Sequence, residues 1–540
     1  MHRATSVSRA FFLGIVVLGT TLGFAQTEVL EGPTLTMDPT GWTPLAGAVE
    51  IRTADPVRVV LEISDGIETR RVRFPDQARE HFLPVIGLEP DRAYRIDVIL
   101  IGETGRRTRL NQTLLAVTGP LPDDFPTLTT RTLEPFEMEP GFTLLDRFSR
   151  RPNDTRPAYA IIVDQNGDVV WYSSRPRAAI VQLPNGNLLY RDGNFANEMD
   201  MLGNLVSSVE LSGVNRLHHD LFPTGYGTLL SLDMATVVVE GYPTSETDPD
   251  APAQTAEVRD EPVVEFAADG TLLNRWPLTD VIDPTRIGYD SLREANFGLD
   301  WAHSNAVIHD PRDDSIIVSI RHQDSVIKFS RQTGELIWIL GPHDNWTAEH
   351  QPYLLQPVGA PFEWQFHQHA PMITPSGTLL LFDNGNHRAS PFDGRPQASA
   401  DGSYSRAVEY VIDEVNMEVR EVWEYGANAA DRIYTQSRGD ADWMSTTGNV
   451  LITFSAINFV NGVLGSDLGL GSEHARIVEV DHGTPASVVF DLQVHDPTGG
   501  SIRIYRSERI RRLYPPDHVT WQVPARRHVP ARPMRVLPFP

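Results

Sequence analysis

Residues 366 to 385, FHQHAPMITPSGTLLLFDNG, place two histidines two apart ahead of a short apolar stretch, a Pro-Ser-Gly turn and a second apolar run. A neutral imidazole in such a place can serve as nucleophile, general base or metal ligand. A lone one is more often a half-buried, hydrogen-bonded residue. Here the pattern recurs: His369 lies eight residues before Gly377, His219 in LHHDLFPTGYG lies eight before Gly227, and His303 in WAHSNAVIHDPRDDS opens a strand whose turn begins at Asp310. The same column holds Ala178 and Asp440 in other copies, so the fold itself does not require histidine there. Asn305, two residues past His303, falls on the same strand face, and Arg321 closes that hairpin in IIVSIRHQ. A planar guanidinium beside convergent imidazoles suits a group with several negative oxygens, because it grips two of them at once. His367 shares a strand face with His369 and His218 points away from His219, so only the register favours His369 and His219. His309, His322, His343 and His387 read as structural or rim residues.

These side chains converge only if the elements carrying them are repeated around a centre. From about residue 158 a two-part unit recurs. Its first halves run from IIVDQNGDVVWY (161–172) to ARIVEVDHGTPASVVFDLQV (475–494), and its second halves include IVQLPNGNLLYR and STTGNVLITFS. Six copies of about four strands each predict an all-β chain whose residues 158–540 form a six-bladed β-propeller. Insertions such as GYPTSETDPDAPAQTAEVRD (241–260) leave five and seven blades open. Loops entering the inner strands of a propeller crowd round one end of its channel, so residues at equivalent repeat positions meet. Ahead of it, residues 26–125 alternate with period two in AGAVEIR, VRVVLEI and YRIDVIL, which predicts a small β-sandwich. GLEPDRAYRIDV (87–98) resembles the Leu-x-Pro-x-x-x-Tyr corner of fibronectin type III-like domains, a scaffold signal. Residues 126–157, rich in proline, read as a linker and entry to the propeller.

Composition narrows the function. The 540 residues are 41% hydrophobic and 22% charged, as in a globular protein. Arg3 and Arg9, the apolar run 10–17 and Gly23-Phe24-Ala25 read as a signal peptide over residues 1–25, which places the protein in the periplasm or outside the cell. No later stretch is long and apolar enough to span a membrane. The absence of cysteine excludes disulfides, thiolate metal sites and a cysteine nucleophile. A formal charge of −25 disfavours nucleic acid and anionic membranes, so an anionic substrate needs a local positive pocket. No phosphate-binding glycine loop of the G-x-x-x-x-G-K-[ST] type is present. The residues alone leave three readings open: group transfer through a histidine, a His-ligated metalloenzyme acting as hydrolase or oxygenase, and a non-catalytic propeller that only binds. Arg321 beside a divalent cation weighs against the second.

The stretch WAHSNAVIHDPRDDSIIVSIRHQ, with HHD upstream and QHAP and FDNGNHR downstream, resembles the bacterial aryl-sulfate sulfotransferases, and the similarity covers nearly all of the chain after the signal. The resemblance implies a periplasmic six-bladed propeller behind an N-terminal β-sandwich. The implied reaction is ping-pong transfer of a sulfuryl group from a phenolic sulfate donor to a phenolic acceptor, without phosphoadenosine-phosphosulfate, cofactor or metal. It further implies His369 as the transiently sulfated nucleophile, with His219, His303, Asn305 and Arg321 around the sulfuryl group. A shorter segment between Arg321 and His369 than in some members bears on the acceptor pocket. Trp346, Phe362, Trp364, Tyr434 and Trp443 are its candidate aromatic walls. The front module would either pair two subunits as a homodimer or brace the propeller.

Overall fold

A computed structural model describes residues 27–520 apart from 133, 151–152, 399–401, 428–431, 461–462, 465–470 and 516–517; the signal-peptide reading therefore lies outside the described residues. The described chain is all-β. Six sheets, each built on four antiparallel strands and two of them carrying a fifth, account for most of it. Five run in chain order, opening with Ala178–Gln182, His218–Pro223, Ser304–Asp310, His369–Ile373 and Asp440–Trp443. The sixth is closed by both ends of the region: Ser507–Ile510 pairs with Phe142–Leu145, followed by Ala160–Val163 and Val169–Ser173. Opening strands of successive sheets from Ala178–Gln182 to Asp440–Trp443 pack against one another in order. The insertion at 241–260 supplies Gln254–Asp260, which joins Ala235–Tyr242 in a separate small sheet.

Why the strands read as apolar runs follows from the packing. Ser315–Ile320 is buried along its whole length. Its residues Ile316, Val318 and Ile320 enter one core with Leu230 and Val263, while Ile317 enters another with Leu379 and Leu381. The next sheet repeats this, since Leu380 and Phe382 face a third core with Ile452 and Phe454. A sheet covered on both faces has no polar face to show, and period-two alternation disappears.

The front segment departs from the expected sandwich. Val29–Met37, Gly47–Ser64, Thr69–Val85, Ala93–Ile101 and Arg107–Val117 hydrogen-bond into one six-stranded sheet completed by Val519–Thr520, not into two facing sheets. The two long central strands carry register shifts between Arg52 and Val59. These local irregularities let a single sheet bend instead of splitting. The tyrosine corner is present, Tyr94 Oη accepting the Glu89 N–H at 3.0 Å. Instead of closing on a second sheet, the buried face shares its core with Ile162, Trp171 and Leu188 of the neighbouring four-stranded sheets. The stretch 126–157, expected as a linker and entry to the propeller, carries strands: Thr127–Thr132 extends the sheet of Val488–His495, and Phe142–Leu145 belongs to the closing sheet. Proline marked the bends but not these short pairings.

Because Ile317 and Val318 feed different cores, Ile317→Ala and Val318→Ala should each cost about 2–4 kcal/mol in denaturant unfolding. Their double substitution should be additive to about 0.5 kcal/mol. Strong non-additivity would contradict two separate cores.

Candidate active site

A cavity of about 990 Å³ opens where the sheets begin. Each of the six sheets sends at least one residue to it from the start of its opening strand or the turn just before: Ala179, His219, His303, His369, Arg438 and Tyr505. Local backbone aims them. Ala179, His219, His303 and Ala370 all have φ near +50°, and the ladder slips register beside each, between Ala178 and Val181, His218 and Leu221, Ser304 and Ala306, and His369 and Met372. Such bulges re-aim side chains at a strand end, at a backbone cost of about 1–2 kcal/mol per non-glycine residue.

Each imidazole is fixed through Nδ1. His369 Nδ1 lies 2.6 Å from Asn384 Oδ1, and Asn384 Nδ2 donates to the carbonyls of Thr435 at 2.8 Å and Arg438 at 2.7 Å. Two carbonyls fix that amide's orientation, so its oxygen faces the ring and His369 carries its hydrogen on Nδ1. Nε2 is then a bare lone pair, and it accepts the Arg438 N–H over a long 3.3 Å. Burial, then the nearby Arg321 charge, holds this ring well below the ordinary imidazole value. His369 is therefore neutral.

The same reasoning fixes His219. His218 Nε2 donates to the Asp233 carbonyl at 3.1 Å, and burial followed by the Arg259 charge lowers His218 to about 3, so its Nδ1 is bare. The 2.6 Å contact between the two Nδ1 atoms thus requires His219 to donate, leaving its Nε2 as an acceptor. His303 Nδ1 is held by Asp300 Oδ2 at 2.8 Å. Burial lowers His303 in spite of this partner. Burial alone would raise Asp300, but the hydrogen bond from His303 and the Arg259 charge keep it below the usual carboxylate range. The rings of His219 and His303 lie 5.3 Å apart, and Tyr505 sits 5.9 Å from His219 and 6.0 Å from His369.

Arg321 starts a one-turn 3₁₀ segment, Arg321–Gln323, closed by Asp324 at φ 48°. Its Nη2 donates to the Gln436 carbonyl at 3.2 Å, Nη1 lies 3.7 Å from Asp290 Oδ2, and the buried Nε has no protein partner. Donors remain for an oxyanion. Asp324 takes up His367, accepting from its N–H at 2.8 Å and Nδ1 at 2.7 Å. Burial and Arg321 would lower His367, but Asp324 and Asp290 override them and raise it. His367 thus holds a second proton more readily than an ordinary imidazole and does not line the cavity, which separates it from His369.

The structure thus brings His219, His303, Arg321 and His369 to one cavity. Asn305 is not on its wall. It is fully buried behind it, with Nδ2 donating to the Gln368 carbonyl at 2.8 Å. The period-two argument failed because His303 precedes the strand at positive φ, so Asn305 does not share its face. Of the expected aromatic walls only Tyr434 lines the cavity. Asp300, three residues before His303, was findable by local spacing. Asn384, His218 as a partner, Tyr505 and Arg438 were not.

Two groups of side chains have metal-ligand spacing among the described residues: Asp300 with His303 and His322, and Asp290 with His367 and His387. In both the carboxylate is already shared with an arginine, Arg259 or Arg321. Neither contains the His219, His303 and His369 set that the metalloenzyme reading needs.

Comparison with known proteins gives the family. A family model described as Arylsulfotransferase (ASST) matches residues 129–506, and the chain belongs to that family. The arylsulfate sulfotransferase AssT of Escherichia coli O6:H1 is 28% identical over 346 residues, covering 53% of this chain and 55% of that protein. The one from Lelliottia amnigena is 27% identical over 349 residues, with the same coverage of 53% and 55%. The chain spans about half the length of these curated relatives. A variant of Synechocystis apocarotenoid oxygenase, 10% identical, overlies 71% of this chain and 96% of its own with a TM-score of 0.30, too distant to inform fold or function.

In histidine-labelled protein, ¹⁵N spectra should show His369 as the neutral Nδ1–H form from pH 7.5 down to 5.5, because its depressed value keeps a second proton off as pH falls through 6.5. A titration centred near 6.5 would contradict this.

Proposed function

We propose that the protein is an aryl-sulfate sulfotransferase working by a ping-pong mechanism through His369. The observation that carries the reading is a neutral imidazole with Nδ1–H held by an amide and Nε2 bare, in a cavity it shares with Arg321. In the first half-reaction the S–O(aryl) bond breaks and an S–Nε2 bond forms. The phenolate leaves with the bonding electrons. Arg321 stabilises the peripheral oxygens, where charge gathers in a loose transition state like that of phosphoryl transfer. In the second half-reaction a phenol attacks sulfur, the S–N bond breaks, and a neutral histidine, His303 or His219, takes the phenol proton. Asn305 positions the Gln368 carbonyl next to the nucleophile instead of touching sulfur.

Asn384 has a particular part in this scheme. Because His369 keeps Nδ1–H when Nε2 attacks, the intermediate is a sulfated imidazolium. An amide accepts that hydrogen but cannot remove it as a proton. The ring stays cationic and remains a good leaving group. The six sheets are read as the blades of a six-bladed propeller whose central end carries this cavity, supported by the side-by-side opening strands and the closing sheet made from both ends of the region. The signal-like residues 1–25 support a periplasmic or secreted enzyme.

Transfer from 4-nitrophenyl sulfate to phenol tests the reading. His369→Ala should lower kcat by about 10³-fold or more. Asn384→Asp should let nitrophenolate burst normally while slowing discharge to phenol at least tenfold, because the carboxylate neutralises the intermediate. Full activity of His369→Ala contradicts the proposal, and faster discharge in Asn384→Asp contradicts the role of the amide.

A further inference from the structure

The cavity holds more positive charge than one sulfuryl group uses. Besides Arg321, six arginines reach its wall: Arg147, Arg177, Arg191, Arg293, Arg438 and Arg503. Only two carboxylates join them, in a chain whose net charge is −25. Asp290 is shared between His367 and Arg321. Asp146 is pushed up to about 7 by burial, so it is only partly ionised at neutral pH.

Four of the arginines are set as like-charged pairs. Burial and then Arg177 lower Arg147, and burial and then Arg503 lower Arg438. Arg503 is paired with Glu473 at 2.6 Å, but the partners of Arg147, Arg177 and Arg438 do not cancel their charge. Arg147 Nε is buried with no hydrogen-bond partner. Arg177, 52% exposed at its side chain, meets Asp192 only at 3.7 Å. The Arg438 guanidinium donates to two neutral oxygens, Ser149 Oγ at 2.5 Å and the Arg503 carbonyl at 3.4 Å. Two adjacent cations that repel each other at a partly buried wall are stabilised by an anion between them. The aromatic surface is small by comparison: of the expected ring-stacking residues only Tyr434 lines the wall, joined by Tyr505. An unsubstituted phenol leaves this arginine surface without a partner.

We infer that the aromatic substrates of this cavity carry a second oxyanion, a carboxylate or a sulfur oxyacid on the ring, bound by the Arg147–Arg177 pair while Arg321 holds the sulfuryl group. The inference rests on the sulfuryl-transfer reading for the ring and its sulfate, and on the arginine pairs for the second charge. In a ping-pong exchange, donor and acceptor use one site in turn, so both would carry the group.

Calorimetric binding of 4-hydroxybenzoate and 4-hydroxybenzamide, matched in shape and differing in charge, tests this without turnover. 4-Hydroxybenzenesulfonate, run alongside, distinguishes a carboxylate from a sulfur oxyanion. At 20 mM salt the acid or the sulfonate should bind at least tenfold more tightly than the amide, as a charge-assisted contact provides. The advantage should shrink in 0.5 M salt. It should be lost in Arg147→Gln/Arg177→Gln, or reduced in Arg177→Gln alone, a half-exposed position that folding tolerates. Equal binding of all three, or an advantage untouched by these substitutions, overturns the inference. Transfer from 4-nitrophenyl sulfate to neutral phenol separates the two claims: transfer without any preference for the charged ligands sinks only the second oxyanion, and preferential binding without transfer sinks only the sulfotransferase reading.

Discussion

The hydrogen bond from His369 Nδ1 to Asn384 Oδ1 decides which nitrogen of the ring meets the cavity. If the hydrogen sat on Nε2 there would be no nucleophile. The fold is organised around keeping that choice fixed. Asn384 is itself held by the carbonyls of Thr435 and Arg438, so two neighbouring sheets must keep their spacing for one amide to keep its orientation. The shared cores between sheets, fed by alternate residues of strands such as Ser315–Ile320, supply that spacing. His218 and Asp300 impose the same Nδ1 constraint on His219 and His303. Three imidazoles from three sheets are thereby presented with Nε2 as the acceptor, which in His369 takes only the long 3.3 Å contact from the Arg438 N–H.

Electrostatics separates the roles of residues that look alike in sequence. His367 and His369 are two positions apart, yet carboxylates surround one and an amide holds the other. The first is raised toward a permanent charge and the second lowered toward neutrality. The cavity is an arginine-rich spot in a strongly acidic chain, so the protein's surface repels anions while its centre attracts them.

Much of this was legible in the sequence because repeats turn spacing into geometry. Counting back from the hairpin turns, two of them marked by glycine, placed His219, His303 and His369 in one column, and all three line the cavity. Tyr94 also revealed its corner bond. What the sequence hid depends on bulges and long-range pairing. One added residue in the backbone beside His303 took Asn305 off the face that a regular strand would give it. Asn384 and Tyr505 reach the site only because sheets meet there. The front sheet misled for a related reason: alternation shows that a strand has a buried face, but not which element buries it. Here it is Trp171 and its neighbours, not a second sheet of the same module.

The central claim is that His369 carries the sulfuryl group between two phenols. Intact-protein mass spectrometry after brief incubation with 4-nitrophenyl sulfate tests it most directly. The account predicts a gain of one sulfuryl group, mapped to His369 by peptide sequencing and discharged when phenol is added. Turnover with no adduct at His369, or an adduct on another residue that phenol discharges at the same rate, would contradict it.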